Sequence, residues 1–316
     1  MADESPFISP LIPNFPTELL EHDRNTKKKK PKIAIVGADH ILPMVSAKEA
    51  LLKNIMTPVL IGQIRKIRSI AEELQWDISQ FDVINADCEQ EATEIGAKLA
   101  GTKSVDILMK GQVHTDLFIK AVIAKNAELL TEKRLVHIFY ITHPNGGKPL
   151  LISDAAINVT PDIQTRKDAA FHSVKLLKTL GNKNPKIAFL SATESVIRSV
   201  PSSIEAKELS DWCSANIPSA TFSGPLALDT ILSNQAAIAK DLNQDPVTGK
   251  ADSIIVPDIV SGNTLFKSLV YLSGGCAAGI VLGAKIPLLL TSRADPPVAR
   301  VASIALAAKA IKIKKI

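Results

Sequence analysis

Short apolar runs and helix-period segments alternate along this chain, and that alternation limits its fold more than any other feature. From residue 32 the order is "PKIAIVGAD", "HILPMVSAKEALLKNI", "TPVLIG", "QIRKIRSIAEELQ", "FDVINA", "EQEATEIGAKLAG" and "VDILMKG". The apolar runs read as strands and the segments between them as helices. Alternation at this spacing is the pattern of βαβ units on a parallel sheet. "KRLVHIFYITH" and "KPLLISDAAIN", separated by the turn signal "PNGG", read as an antiparallel pair where one domain passes into the next. Then come a helix "TRKDAAFHSVKLLKTLG", a strand "PKIAFLSA" and a helix "SIEAKELSDWCSA". "ADSIIVPDIVSGN" reads as a strand with its loop and "TLFKSLVYLSGG" as a helix. "GAKIPLLLTSRADPPVARVASIALAAKAI" supplies the last strand and helix.

Composition supports this class. With only 4% aromatic residues the core must be aliphatic, which favours a helix-covered parallel sheet over an aromatic-rich sandwich. At 316 residues there is room for two α/β domains. Residues 1–31 are broken by proline and lack periodicity, so a flexible N-terminal arm is expected there. The net charge of +5 is carried largely by the ends, in "KKKKPK" and "KAIKIKK". No aromatic residues interleave with these lysines, so nucleic acid is not the expected partner, whereas an acidic substrate suits a mild positive bias. The three cysteines, Cys88, Cys213 and Cys276, show no CxxC or Cys/His spacing, so neither zinc nor a disulfide framework is expected. The N-terminus lacks a basic segment followed by an apolar one, and "GIVLGAKIPLLL" is short for a bilayer span and carries Lys285. No membrane attachment and a cytoplasmic location are the expectation.

In an open parallel sheet, ligands bind beyond the carboxyl ends of the strands. Polar residues gather after several strands here: Lys110 to Asp116, Ser191 to Glu194, Asp258 to Lys267, and Thr291 to Asp295. Capping accounts for part of this, since Thr115 or Asp116, Ser261 or Asn263, and Asp295 are good N-cap residues. It does not account for Lys110, Lys267 and Arg293, because a cation at a helix N-terminus opposes the helix dipole. Together the three point to a bound anion.

With those clusters in view, the chain resembles the phosphate acetyltransferase and phosphate butyryltransferase family across about residues 32–312. The resemblance lies in "LMKGQVHTD", "LLISDAAINV", "GPLALDTILS", "VPDIVSGNTLFK" and "GAKIPLLLTSRAD", in that order. It is nearest to the transferase portion of proteins that carry an enoyl-CoA hydratase module ahead of it. The resemblance implies a two-domain α/β architecture akin to isocitrate and isopropylmalate dehydrogenases, with mostly parallel sheets flanked by helices. The active site would lie in the interdomain cleft of a homodimer. The expected division is residues 32–148 plus 290–316 for the first domain and 149–289 for the second. The implied reaction converts acyl-CoA and phosphate to acyl phosphate and CoA, with no metal and no permanently bound cofactor.

Carried over by the resemblance, Ser292 and Arg293 bind the phosphoryl group and Lys267 lies on the phosphate side. Lys120 stands beside a position where relatives carry an arginine. The carboxylate proposed as base in relatives falls near Ala299, leaving Asp295 as the nearest candidate, with helix capping as its other role. The catalytic candidates are therefore Ser292, Arg293, Asp295 and Lys267. The substrate-binding candidates are Lys110, His114, Thr115, Lys120, Asp258 and Asn263. His114 is either a contact to the acyl carbonyl or CoA, or a loop histidine bonded to backbone. Two other classes stay open. One is a non-catalytic acyl-CoA or acyl-phosphate binder that lacks the base. The other is a metal-dependent dehydrogenase using Asp229, Asp258 and Asp295.

Overall fold

The computed structural model describes residues 5–20, 30–291 and 295–311. In chain order the regular elements begin with β1 (Lys32–Val36), α1 (Ile41–Leu52), β2 (Thr57–Gly62) and α2 (Ile64–Glu73). Next are β3 (Asp82–Asn85), α3 (Glu89–Gly101), β4 (Ile107–Lys110) and α4 (Thr115–Ile123). The middle of the chain forms β5 (Val136–Thr142), β6 (Leu150–Ser153), α5 (Ile163–Thr179), β7 (Lys186–Leu190) and α6 (Pro201–Asn216). It continues with β8 (Thr221–Leu226), α7 (Leu228–Leu232), α8 (Asn234–Ala239), β9 (Ser253–Ile255) and α9 (Ile259–Tyr271). Last come β10 (Cys276–Leu282), β11 (Leu288–Leu290) and α10 (Pro297–Ala310). The result is an α/β fold with mixed, mostly parallel strands flanked by helices.

The chain divides into two compact units: the described residues of Phe15–Lys133 and Ala278–Ile316, and those of Met1–Asn14 and Arg134–Ala277. This division differs from the expected one at 134–148 and 278–289. The first difference follows from β5, which pairs antiparallel with β6, Tyr140 opposite Leu151, and so belongs with it. The second follows from β10, which pairs antiparallel with β11 through Val281 and Leu288.

In the first unit the strand order is β3-β2-β1-β4-β11-β10. All but β10 run parallel, with Ala34 beside both Val59 and Leu108, and Met109 beside Leu289. Ile33 to Val36 have no exposed surface, as their continuous apolar run requires of a strand covered on both faces. α3 lies directly on the sheet: a Cβ at Gly96 would stand 2.5 Å from Val36 Cγ2 and 3.0 Å from Leu108 Cδ1. The edge strand β3 is short and polar at both ends, which suits an edge. In the second unit the order is β5-β6-β9-β7-β8, with β6, β9, β7 and β8 parallel.

The expected flexible arm is corrected for its described residues. Ser9 N donates to Tyr271 O at 2.8 Å, and Asn14 Nδ2 to Pro144 O at 3.2 Å. Thr17–Leu19 forms a short 3-10 turn that packs Leu19, 4% exposed, against α10, while Lys309 Nζ donates to Glu18 O. Proline content blocks a helix but leaves apolar side chains free to dock, and Leu19 does so. Deleting residues 1–20 is therefore expected to lower the thermal midpoint by several degrees, since losing one buried leucine costs about 2–4 kcal/mol. An unchanged melting curve for the truncated protein would contradict the docking.

Candidate active site at the strand ends

The two parallel arrays each end in a set of polar loops. In the first unit, β2 and β3 lie on one side of β1 and β4 on the other. Loops after β1 and β4 therefore leave in opposite directions and open a crevice at the switch point. Main-chain bonds from Gly111 N to Val36 O (2.7 Å) and Gln112 N to Gly37 O (3.0 Å) draw the two loops together. That closeness requires Gly37, whose φ is +70° and whose Cβ would stand 2.7 Å from Val113 Cγ1. The crevice measures about 410 Å³ and includes Asp39, His40, Gln63, Lys66, Glu89 and Gln112 in its lining.

Lys110, the last residue of β4, is only 6% exposed. Its Nζ donates to Val113 O at 3.1 Å and Gly111 O at 3.4 Å, so the ammonium serves the loop leading to α4. His114, not Thr115 or Asp116, is the N-cap of α4, and it makes no side-chain cap bond. Its main-chain N and its ring Nδ1 both meet Glu89 Oε2, at 2.8 and 2.7 Å. The partner is thus a carboxylate, not the backbone. Thr115 is exposed in the first turn of α4. Lys120 is exposed in its last turn and lines a separate cavity of about 640 Å³ with Lys98 and Asn126.

At the neighbouring strand, Leu290 of β11 is the register partner of Lys110, and Thr291 Oγ1 donates to Lys110 O at 2.7 Å. Ser292 and Arg293 lie outside the described residues. Asp295 precedes α10, whose N-cap is Pro296 with no side-chain bond, so the expected capping by Asp295 is corrected. Arg300 Nε instead donates to the main-chain oxygen of Asp295 at 3.2 Å. Burial of the Arg300 guanidinium lowers its pKa, and the Asp295 charge opposes that. Ala299 is buried in the first turn of the same helix.

In the second unit, the blocks "LLISDAAINV" and "VPDIVSGNTLFK" meet at the ends of neighbouring strands β6 and β9. Asp258 caps α9, its Oδ1 accepting from Ser261 N at 2.8 Å and its Oδ2 from Ser261 Oγ at 3.0 Å. The helix starts at Ile259, five residues before the sequence pattern places it, so Ser261 and Asn263 are helical and not caps. Asn263 Nδ2 donates to Ala155 O at 3.2 Å. A Cβ at Gly262 would stand 2.8 Å from Asp154 O, so glycine here permits the close approach. Lys267 is exposed and follows Asn263 by one turn on the same face. Being eight residues into α9, about 12 Å along its axis, it lies beyond the first turn and does not oppose the N-terminal dipole.

Sequence reasoning missed several residues around these candidates. Asp154, 2% exposed, accepts from the main-chain N of His137, Ala156 and Ile157 and from Asn158 Nδ2. Its signal was the Asp-x-x-x-Asn spacing just after a strand. Arg166 is 1% exposed; its Nη1 donates to Glu205 Oε2 at 2.8 Å, while Nε and Nη2 have no partner among the described residues. Burial lowers its pKa, against the pull of Glu205 and Asp258. Glu89 gave no signal, since an acidic residue opening a helix is explained by the dipole alone. Asp229, offered above as a metal ligand, instead pairs with Lys240 at 2.9 Å. Among the described residues no group of three or more His, Cys, Asp or Glu is arranged to hold a metal, and no helix is long and apolar enough to cross a membrane.

Comparison with known proteins supplies the remaining finding. Residues 87–308 match the family model described as "Phosphate acetyl/butaryl transferase". The chain is 38% identical to a phosphate acetyltransferase of Rickettsia prowazekii (strain Madrid E), over 92% of this chain and 87% of that one. It is 32% identical to a phosphate butyryltransferase of Clostridium acetobutylicum, covering 94% and 98%. A branched-chain phosphotransacylase from Enterococcus faecalis V583 superposes with a TM-score of 0.79 at 28% identity, covering 89% and 99%. A 4-hydroxythreonine-4-phosphate dehydrogenase from Burkholderia phymatum superposes with a TM-score of 0.55 at 11% identity, covering 90% and 99%, a likeness of fold alone.

Proposed function

The chain belongs to the phosphate acetyl/butyryl transferase family, and we propose that it converts acyl-CoA and phosphate to acyl phosphate and CoA, and the reverse. The observation that carries this reading is identity of 32–38% over more than nine-tenths of the chain to proteins of those two names. Both nucleophiles, a thiol and a phosphate, come from the substrates, so direct transfer within a ternary complex needs no covalent enzyme intermediate. The protein must hold the two reactants together and stabilise charge on the acyl oxygen.

In this reading Arg293 grips two phosphate oxygens, Ser292 donates to a third, and Lys267 adds a compact positive charge. The interdomain cleft implied by the family resemblance belongs to the same proposal. Asp258 caps α9 and Asn263 ties it to the loop after β6, and together they set where Lys267 emerges. Lys120, with Lys98 in the larger cavity, suits the phosphates of CoA. A homodimer is part of the reading; Val196, Ile197, Leu232 and Ile238 are exposed apolar side chains available to it.

A second reading is favoured by one observation: alanine, buried, occupies the region of the family's carboxylate. On that reading the protein binds acyl-CoA or acyl phosphate without turning them over. Thiol release from acetyl-, propionyl- and butyryl-CoA, measured with and without phosphate, separates the two. Transfer predicts phosphate-dependent release with acyl phosphate as product. Binding of acyl-CoA with no thiol release would instead identify a non-catalytic protein, and phosphate-independent release a hydrolase. The comparison also ranks acyl chain length, where each methylene changes discrimination by about 1–3 kcal/mol.

A further inference from the structure

A free thiol ionises near pH 8.5, so only a few per cent of CoA is thiolate at neutral pH. A base is therefore useful to the reaction, and a buried alanine stands at 299, where the resemblance places the family's carboxylate. Resting on the transfer reaction proposed above, we infer that His114 takes the proton from the CoA thiol, and that Glu89 positions the imidazole for this.

The geometry is that of a base oriented by a third group. Glu89 Oε2 lies 2.7 Å from His114 Nδ1 and also accepts the main-chain N–H of His114 at 2.8 Å. A carboxylate at Nδ1 holds the proton on that nitrogen and leaves Nε2 with a lone pair. Nε2 has no partner among the described residues, and the side chain is 62% exposed. Such a ring can meet a substrate without breaking a protein contact.

Its place in the sheet adds an independent argument. β4 and β11 are parallel neighbours that end together, Lys110 beside Leu290. His114 follows Lys110 by four residues, and Ser292 follows Leu290 by two. The histidine thus leaves the same edge of the sheet, from the adjacent strand, as Thr291 at the end of β11. Among the described residues, the charged and titratable groups about it are Glu89 and Cys88 at the head of α3, Asp116 on α4 and Lys110 at the end of β4. Asp39, His40 and Lys66 line the crevice that Glu89 and Cys88 also line.

In the direction of acyl-CoA formation, the sulfur attacks the acyl carbon while the thiol proton passes to His114 Nε2. The S–C bond forms, the C–O bond to phosphate breaks, and phosphate leaves with that electron pair. The imidazolium then returns the proton to phosphate or solvent. In the opposite direction the imidazolium protonates the departing thiolate. An exposed ion pair between α3 and the start of α4 would otherwise contribute only about 0–1 kcal/mol of stability and nothing to the rate.

The test measures acyl-CoA formation from acyl phosphate and CoA by the full chain, across about pH 6 to 9. His114→Gln is expected to lower kcat by about 10²-fold or more near neutrality, the range for losing a general base. That deficit should shrink as pH approaches the thiol's own pKa, because hydroxide then does the work of the base. Glu89→Gln should cost less, and the double variant should be no slower than His114→Gln, since Glu89 acts only through the ring. A wild-type to His114→Gln ratio that stays constant with pH, or a rise in KM for CoA alone, would overturn the assignment. If His114→Gln fails to fold, Glu89→Gln carries the test: a deficit that narrows with rising pH supports the dyad, and an unchanged profile overturns it. Failure of the underlying reaction is a different result, wild-type protein that makes no acyl-CoA at any pH.

Discussion

Arg293→Ala is expected to lower turnover by about 10² or more, the range for losing one contact made to a transition state. The guanidinium offers a planar fork that matches two phosphate oxygens, and charge on those oxygens grows as the acyl–phosphate bond breaks. Its effect should therefore fall on kcat as well as on KM for phosphate. A contact made equally to ground and transition states would raise KM alone. The fold should survive, because β11 is held by other residues: Thr291 Oγ1 donates to Lys110 O at 2.7 Å, and Leu290 pairs with Lys110. Arg293→Lys keeps the charge but not the fork and should recover only part of the loss. Steady-state kinetics with phosphate and acyl-CoA varied in turn, beside a thermal melt, reads all of these. Near-normal turnover in Arg293→Ala would take the arginine out of the mechanism.

The parallel arrays were legible because their strands are buried on both faces and so appear as unbroken apolar runs. β1, β2 and β4 show this plainly. Two strands escaped. β8, "TFSGPL", is interrupted by Ser223, Gly224 and Pro225, and its pairing with β7 shifts register between Ala188 and Leu190. β10, "CAAGIVL", has small residues at its start and is followed after only five residues by β11. The start of α9 was misplaced for a related reason. Ser-Gly-Asn has the composition of a loop, yet Gly262 is required by the backbone oxygen of Asp154 and Asn263 by that of Ala155.

At the candidate site, the residue types in the loops after β4 and β9 were visible, but not which partner each would find. Lys110 and Lys267 read alike in sequence. One is buried on its own loop's carbonyls, and the other stands exposed two turns up a helix. The Glu89–His114 contact joins residues 25 apart, through the packing of α3 beside α4. Nothing local in either segment reports it. Arg166 is similar: its position among helix-period residues gives no hint that a guanidinium is sealed inside the unit.

Acid should weaken the second unit through His137. This ring is 1% exposed, lies 4.3 Å from the Phe139 ring, and has no partner for Nδ1 among the described residues. Burial pushes its pKa down from 6.5 to about 4, with the nearby Asp154 charge opposing the shift. The unfolded chain, titrating near 6.5, takes up a proton that the folded chain refuses until about pH 4. Stability is therefore retained above 6.5 and lost as pH falls from there to about 4. The loss attributable to this group is about 2 kcal/mol at pH 5 and roughly 3 kcal/mol once complete. Carboxylates titrate at the lower end of that window, so the wild-type curve alone does not isolate the histidine. His137→Phe does, since it keeps an aromatic ring beside Phe139 and removes the proton-binding group. Urea unfolding at pH 7 and pH 5 should show the wild type losing about 2 kcal/mol more than the variant. Parallel stability curves for the two proteins would show that folding leaves the proton affinity of the imidazole unchanged.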